Sequence, residues 1–324
     1  MLVPLLLLII GIVILIIAGD WMVRGAAALA RHWGVPSLIV GLTIVAFGTS
    51  APELVVGVQS VLKGAGDLAA GNVIGSNIAN VLLALGLPAM IMAIPTNMAG
   101  VARNTLICIV ATILFILLAF TASGHTMGFP QGAILFGGIL AYLLYMFRLA
   151  RSGVHDPILD EMTEIDEGKD GLPTNVLLSF AFVVIGIIGL VFGGKLIVDN
   201  AVIIAEAMNI SNAIIGLTIV AIGTSLPEIA TVIVASYRGH SEVAIGNVLG
   251  SNVFNLFAVM GASALAGPVK IDEKLLAFDV WVMLASSAAL LLFVLRRQPI
   301  GKMIGIVFFI GYILYMLALV SRVM

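Results

Sequence analysis

The stretch GLTIVAFGTSAPE at residues 41–53 recurs almost unchanged as GLTIVAIGTSLPE at residues 216–228. Each copy carries a single carboxylate, Glu53 or Glu228, in a segment that is otherwise free of charge. A lone acidic residue at the centre of a membrane helix costs about 3 kcal/mol, and such residues are therefore rare and usually functional. Because the same motif carries this cost twice, we interpret the two glutamates as a cation-binding site.

Composition decides the class of protein. The chain has 324 residues, of which 61% are hydrophobic and 10% are charged, and its mean hydropathy is +1.22. Soluble domains are about half apolar and about one quarter charged, whereas a transmembrane helix needs about 20 consecutive apolar residues. The chain contains repeated runs of that length without the alternation of a barrel strand. These features predict an all-α integral membrane protein with no nucleic-acid partner and no cofactor.

The apolar runs predict about ten transmembrane helices, five on each side of an acidic segment at residues 148–173. The spacing of the acidic residues does not match an EF-hand loop, so we interpret this segment as a solvated linker rather than a calcium sensor. The chain then divides into residues 1–147, the linker and residues 174–324. The predicted spans are 2–19, 37–62, 68–92, 104–121, 129–147, 174–194, 211–237, 243–266, 277–295 and 303–320.

The two halves are related by a constant offset of 175 residues over positions 41–80 and 216–255. Five spans per half is an odd number, so the halves must cross the membrane in opposite directions. The same offset reverses charge, since Asp20 corresponds to Lys195 and Arg24 to Asp199, as the positive-inside bias requires of inverted repeats. Counting Lys and Arg by loop places the linker in the cytoplasm of a prokaryotic cell and both termini outside the cell membrane.

The repeated motif supplies oxygen ligands. If the chain beyond Gly48 is helical, Thr49, Ser50 and Glu53 share one face. Pro52 removes an amide donor and crowds the carbonyl of residue 48, which leaves backbone carbonyls free. Hydroxyls, carbonyls and a carboxylate together suit a hard cation such as calcium, and irregular backbone at membrane depth is tolerated where it lines a cavity.

A second motif, GNxxGSN, follows each copy of the first and adds polar groups. Ser76 and Asn80 lie four residues apart on the next predicted helix, as do Ser251 and Asn255. Each pair can therefore present its side chains to the same centre. Taken alone, a stretch rich in Gly and Ser is as often a surface for helix packing as a site, and a single Glu can be a structural contact. The duplication of both motifs favours the site.

Charge balance indicates the type of transport. Two carboxylates neutralise one divalent cation, whereas two bare carboxylates in a medium of low dielectric constant would be driven to share a proton. When the divalent ion leaves, sodium ions or protons must replace it. A protein that exchanges one type of ion for another in this way is an antiporter.

The two motifs resemble the alpha repeats of the cation/calcium exchanger superfamily, and the whole chain resembles the prokaryotic sodium/calcium exchangers. The resemblance implies ion sites between the second and third helices of each inverted half. Asn255 departs from the pattern, because some family members carry an aspartate there, and potassium-dependent exchangers rely on such an extra acid. The implied ligands are the carboxylates of Glu53 and Glu228, the backbone carbonyls of Thr49, Thr224, Ala46 and Ala221, the hydroxyls of Ser50, Ser225, Ser76 and Ser251, and the side chain of Asn80.

We therefore predict a secondary antiporter that exchanges sodium for calcium by alternating access. Its predicted partners are the calcium and sodium ions and the lipid bilayer, and we expect it to be a monomer. The main alternative is a calcium/proton exchanger, in which the two glutamates carry protons. A passive cation channel would show flux without a counter-ion. An intramembrane serine protease would need a base beside Ser50 or Ser225, and neither span holds a His or Lys.

Overall fold

The computed structural model describes residues 2–35, 37–151, 173, 175–207 and 221–322. Most of them are helical, and two strands of two residues each are present. The long elements are α1 (Leu2–Trp33), α2 (Gly41–Thr49, entered through the short helix Ser37–Val40), α3 (Ala51–Leu62), α4 (Gly66–Ala89), α5 (Val101–Thr121), β1 (Thr126–Met127), α6 (Phe129–Arg151), α7 (Val176–Ala207), α8 (Ala221–Thr224), α9 (Leu226–Tyr237), α10 (Ser241–Ala266), β2 (Val269–Lys270), α11 (Leu275–Leu295) and α12 (Lys302–Ser321).

The prediction of a helical membrane protein is confirmed. Eight of the described helices are long and apolar enough to cross a membrane, and the bent pair α2–α3 makes a ninth. The predicted span 211–237 falls partly outside the described ranges, and so do residues 216–220, which open the second copy of the first motif. Most of the predicted linker also lies outside them. Ten spans and two inverted halves therefore stay predictions.

Helix α1 is longer than the sequence suggested. It was expected to end at Gly19, where charged residues begin, but it continues unbroken to Trp33. The charge of Asp20 is compensated within the fold, because its carboxylate accepts a hydrogen bond from Nε of Arg238 at 2.6 Å and pairs with Arg24 at 3.3 Å. Arg238 directly follows α9, so this ion pair joins α1 to the other half of the chain.

Both copies of the first motif break the helix at the same place. Between α2 and α3 the chain bends by 50° at Ser50, whose φ and ψ are −86° and 5°. Between α8 and α9, Ser225 has φ and ψ of −86° and 1°. In each case a proline stands within the first turn of the helix that follows, where its missing N–H costs little. The glutamate comes next and lies in that first turn.

The two helices that carry the second motif form the centre of the molecule. Every residue in the most apolar stretch of α10 is buried, and so is nearly three quarters of the corresponding stretch of α4. By contrast, only about one fifth of the corresponding stretches of α1, α6 and α12 is buried, because their outer faces are apolar and suited to lipid. Each central helix widens into a π-helical turn at Asn80–Ala84 or Asn255–Val259, a feature often found at functional sites.

Helices α1 and α7 pack against each other through glycines. A methyl group placed on Gly186 would lie 2.6 Å from Cβ of Met22, and one on Gly25 would lie 2.7 Å from the carbonyl oxygen of Ser179. Gly11 approaches α7 in the same way, since its methyl group would lie 2.8 Å from Cγ1 of Ile197. The backbones are therefore in close contact along most of the length of both helices.

Short antiparallel pairings join the two halves at the helix ends. Strands β1 and β2 pair Thr126 with Lys270, between α5–α6 and α10–α11. An isolated bridge pairs Ile94 with Ile300, between α4–α5 and α11–α12, with backbone hydrogen bonds of 3.0 and 2.8 Å. The first half is thus tied to the second half at two separate places outside the helical core.

Candidate ion-binding site

The two motif glutamates lie at the heart of the bundle. Glu53 and Glu228 are 0% and 1% exposed, and each stands in the first turn after its helix break. Ser50, three residues before Glu53, donates a hydrogen bond to Oε1 of Glu228 at 2.9 Å. The two carboxylates are also close enough to interact electrostatically. The structure therefore brings together the two acids that the sequence singled out.

The motif threonines make matching contacts across the two halves. The Thr49 hydroxyl donates to Oδ1 of Asn247 at 3.1 Å, and the Thr224 hydroxyl donates to Oδ1 of Asn72, also at 3.1 Å. Each asparagine is the first of the two asparagines in the GNxxGSN motif of the opposite half. Because the two hydrogen bonds are equivalent under the 175-residue offset, each helix break is held by the central helix of the other half.

The two motif serines, Ser50 and Ser225, make different contacts, unlike the two threonines. Ser50 donates to a glutamate, whereas Ser225 donates to Oγ of Ser76 at 3.1 Å. Ser251 lies 3.4 Å from the hydroxyl of Thr49. As a result, Glu228 receives a hydroxyl donor and Glu53 receives none of ordinary hydrogen-bond geometry.

The remaining predicted ligands are a pair of alanines and a pair of asparagines. The carbonyl of Ala46 accepts the backbone N–H of Ser50 at 3.0 Å and the Thr49 hydroxyl at 3.3 Å. Ala221 begins α8, and its side chain lies outside the described part of the chain. Asn80 and Asn255 are fully buried and stand at the start of the two π-helical turns.

Five buried oxygens at this centre accept no hydrogen bond from any residue that the structure describes. They are both oxygens of Glu53, Oε2 of Glu228 and Oδ1 of Asn80 and Asn255. A buried polar atom without a partner is costly, and five of them on the segments that carry the two motifs indicate that something else interacts with them. Carboxylate and amide oxygens suit a hard cation, and the described residues contain no His and Cys cluster of the kind that binds transition metals.

Four asparagines of the site were missed at the level of sequence. Asn72, Asn77, Asn247 and Asn252 all hydrogen-bond to predicted site residues of the opposite half. A signal for them was present, because Asn72 corresponds to Asn247 and Asn77 to Asn252 at the same offset of 175 residues. Repetition of the residues marks them as special, although it does not reveal which side chain each one contacts.

Known proteins resemble this chain in sequence and in fold. The model of the sodium/calcium exchanger protein family matches residues 3–149 and 178–321. The chain belongs to this family. Among its relatives, the putative antiporter CaxA of Alkalimonas amylolytica is 36% identical over 99% of this chain and 100% of that protein. The sodium/calcium exchanger MaX1 of Methanosarcina acetivorans is 29% identical over 97% of each chain.

The fold of this exchanger-family member also matches a solved structure. The sodium-calcium exchanger NCX_Mj, in a crystal soaked with Na⁺ and Sr²⁺, superposes with a TM-score of 0.82 and 29% sequence identity over 97% of each chain. The family is one of transporters rather than enzymes. The chain is thus a multi-pass membrane protein of the sodium/calcium exchanger family.

Proposed function

We propose that the protein is a secondary antiporter that exchanges sodium for calcium across the cell membrane. The observation that carries this proposal is the buried meeting point of Glu53 and Glu228, where three of their four carboxylate oxygens accept no hydrogen bond from the described residues. Two carboxylates balance one calcium ion, and the same oxygens can bind sodium ions when calcium leaves. The names of MaX1 and NCX_Mj as sodium/calcium exchangers support the choice of ions.

The ligands that we propose are those of the two repeated motifs. The carboxylates carry the charge, and the free Oδ1 atoms of Asn80 and Asn255 add neutral oxygens, so that the site approaches the six to eight oxygens, roughly, that calcium takes. The remaining proposed ligands are Thr49, Thr224, Ser50, Ser225, Ala46, Ala221, Ser76 and Ser251.

We place this site near the middle of the membrane, between two inverted halves of five helices, 1–147 and 174–324. The acidic segment 148–173 then connects them in the cytoplasm, and both termini lie outside. Helices α1 and α7 are related by the 175-residue offset, and their movement past the buried core would expose the site to one side at a time.

Radioactive calcium uptake into proteoliposomes tests the exchange. We expect uptake when the vesicles are loaded with sodium and none when they are loaded with choline at the same osmolarity and with the pH gradient clamped. Glu53→Gln and Glu228→Gln should each abolish uptake. Glu273→Gln, which removes an exposed acid outside the site, is the matched control and should retain it. Sodium-dependent uptake in both site variants would refute the proposed ligands.

A calcium/proton exchanger is the second candidate. It is favoured by Glu53, whose carboxylate is buried and accepts no hydrogen bond of ordinary geometry from the described residues, so that it could carry a proton. The same vesicles distinguish the two functions. Uptake that follows an imposed pH gradient and is unaffected by internal sodium would establish proton coupling and leave the site residues unchanged.

We also propose that transport does not need potassium. Asn255 is neutral, whereas potassium-dependent exchangers use an extra acid at this position. Calcium uptake should therefore proceed at the same rate with sodium alone and with sodium plus potassium. A several-fold stimulation by potassium would contradict this proposal.

A further inference from the structure

The asparagines of the GSN sequence lie next to the proposed ligands rather than among them. Asn252 accepts a hydrogen bond from Nδ2 of Asn80 at 3.0 Å, and Asn77 accepts one from Nδ2 of Asn255 at 3.3 Å. Both hydrogen bonds cross between the two halves of the chain. All four side chains are buried, with exposures of 0 or 1%, so water does not compete for them from the surface.

The direction of these hydrogen bonds is fixed at their far ends by groups that can only accept. The Nδ2 atom of Asn252 donates to the backbone carbonyl of Asn77 at 3.4 Å, so its Oδ1 must turn toward Asn80. The Nδ2 atom of Asn77 donates to Sδ of Met283 at 3.6 Å, so its Oδ1 must turn toward Asn255. Carbonyls and thioethers have no proton to donate, so both contacts favour the orientation in which Oδ1 of Asn252 faces Asn80 and Oδ1 of Asn77 faces Asn255.

The consequence concerns the outer end of each chain of hydrogen bonds. Asn80 and Asn255 use their NH₂ groups on Asn252 and Asn77, which leaves their Oδ1 atoms without a donor among the described residues. An amide rotated by 180° would instead turn two N–H groups toward the site and repel a cation. We propose that Asn252 and Asn77, with Met283 behind Asn77, are positioning residues that hold the oxygen of each ligand amide toward the ion.

This inference rests on the proposed cation site and makes a distinctive prediction. Orientation matters for an amide, whose two ends differ, but not for a carboxylate, whose two ends are both oxygens. Removing the acceptor of Asn252 should therefore weaken cation binding in the wild-type background, and should have no such effect in the Asn80→Asp background. A purely structural role of Asn252 would weaken binding in both backgrounds.

The test is equilibrium binding of radioactive calcium to the purified full-length protein in detergent, which needs no transport. We expect Asn252→Leu to weaken calcium binding about tenfold, the usual size of an outer-shell effect. In the Asn80→Asp background the same substitution should change binding by less than about twofold, the limit of ordinary additivity. Thr112→Val, which removes a buried intrahelical hydrogen bond in α5, is the control and should bind like the wild type.

Each result has a clear meaning. An equal loss in the wild-type and Asn80→Asp backgrounds, or no loss in either, would overturn the positioning role while leaving the cation site standing. A wild-type protein that binds neither calcium nor sodium would overturn both the inference and the proposed function.

A second pair of variants tests the other half in case Asn252→Leu does not fold. Met283→Leu nearly conserves volume and is well tolerated in cores, but it removes the weak acceptor behind Asn77. We expect a smaller loss of calcium affinity in the same direction, and no loss in the Asn255→Asp background. An equal loss in both backgrounds would again contradict the inference.

Discussion

Under the proposed alternating-access mechanism, replacing Arg238 with glutamine should shift the balance between the two access states. The Arg238 guanidinium pairs with Asp20, and the bond from Nε is 2.6 Å long. This ion pair joins α1 to the turn after α9. The positions related to it by the 175-residue offset are Lys195 and Lys63, two cations that cannot form such a pair. In the proposed inverted arrangement the link therefore has no counterpart on the other side of the membrane, and it stabilises the access state that contains it.

The expected size of the population shift follows from the solvent exposure of the two paired side chains. The side chains of Asp20 and Arg238 are 21% and 39% exposed, so solvent screens the pair, and its contribution is at the upper end of the range for surface ion pairs, about 1 kcal/mol. A free energy of that size corresponds to a factor of about five in an equilibrium constant. Arg238→Gln should therefore lower the population of the linked state about fivefold relative to the other state.

Electron–electron distance measurements between two spin labels can read these populations directly. The labels would be attached at His32 on α1 and at Gln298 in the α11–α12 loop, both exposed, after the single native cysteine, Cys108, is replaced by alanine. The charge-conserving variant Arg238→Lys, which leaves the pair of Asp20 with Arg24 intact, is the control and should keep the populations close to the original ones. Unchanged populations in Arg238→Gln, or an equal shift in Arg238→Lys, would refute this reasoning.

Two further predictions concern packing and stability. Gly186→Ala should slow calcium uptake and lower the melting temperature, because its methyl group would meet Met22 at 2.6 Å and such overpacking costs about 1–3 kcal/mol. Gly137→Ala, where a methyl group has no neighbour within 4 Å, is the matched control, and equal behaviour of the two variants would contradict the packing argument. Asp279→Ala should lower the melting temperature, measured in detergent, without changing calcium affinity. It removes the buried partner of Arg322, which lies 3.4 Å away, and a changed affinity with unchanged stability would be the opposite of this expectation.

The sequence predicted those parts of the structure that depend on local composition. Apolar runs indicated the helices, and the Gly-Thr-Ser break followed by proline indicated the bends that the structure shows at Ser50 and Ser225. The two glutamates stood out because a charge is costly in such runs. Repetition at a constant offset then placed them at matching positions, from which their meeting could be expected.

Features that depend on distant partners were not predictable in the same way. Helix α1 passes through Asp20 because Arg238, 218 residues away, compensates its charge. The contacts of Asn252 with Asn80 also cross between the halves, and nothing local to either residue reveals the pairing. Asp279 is likewise 1% exposed, and its partner Arg322, which directly follows α12, is 43 residues away.

The glycine contacts between α1 and α7 have a consequence for the membrane as a whole. A transporter that opened to both sides at once would become a pore and would dissipate the ion gradient that drives it. Because Gly186 and Gly25 bring the two backbones into direct contact, we expect the two helices to tilt together. Under the proposed mechanism, a movement that uncovers the site on one face would then cover it on the other. The glycines between α1 and α7 would thus help to prevent uncoupled ion leakage across the membrane.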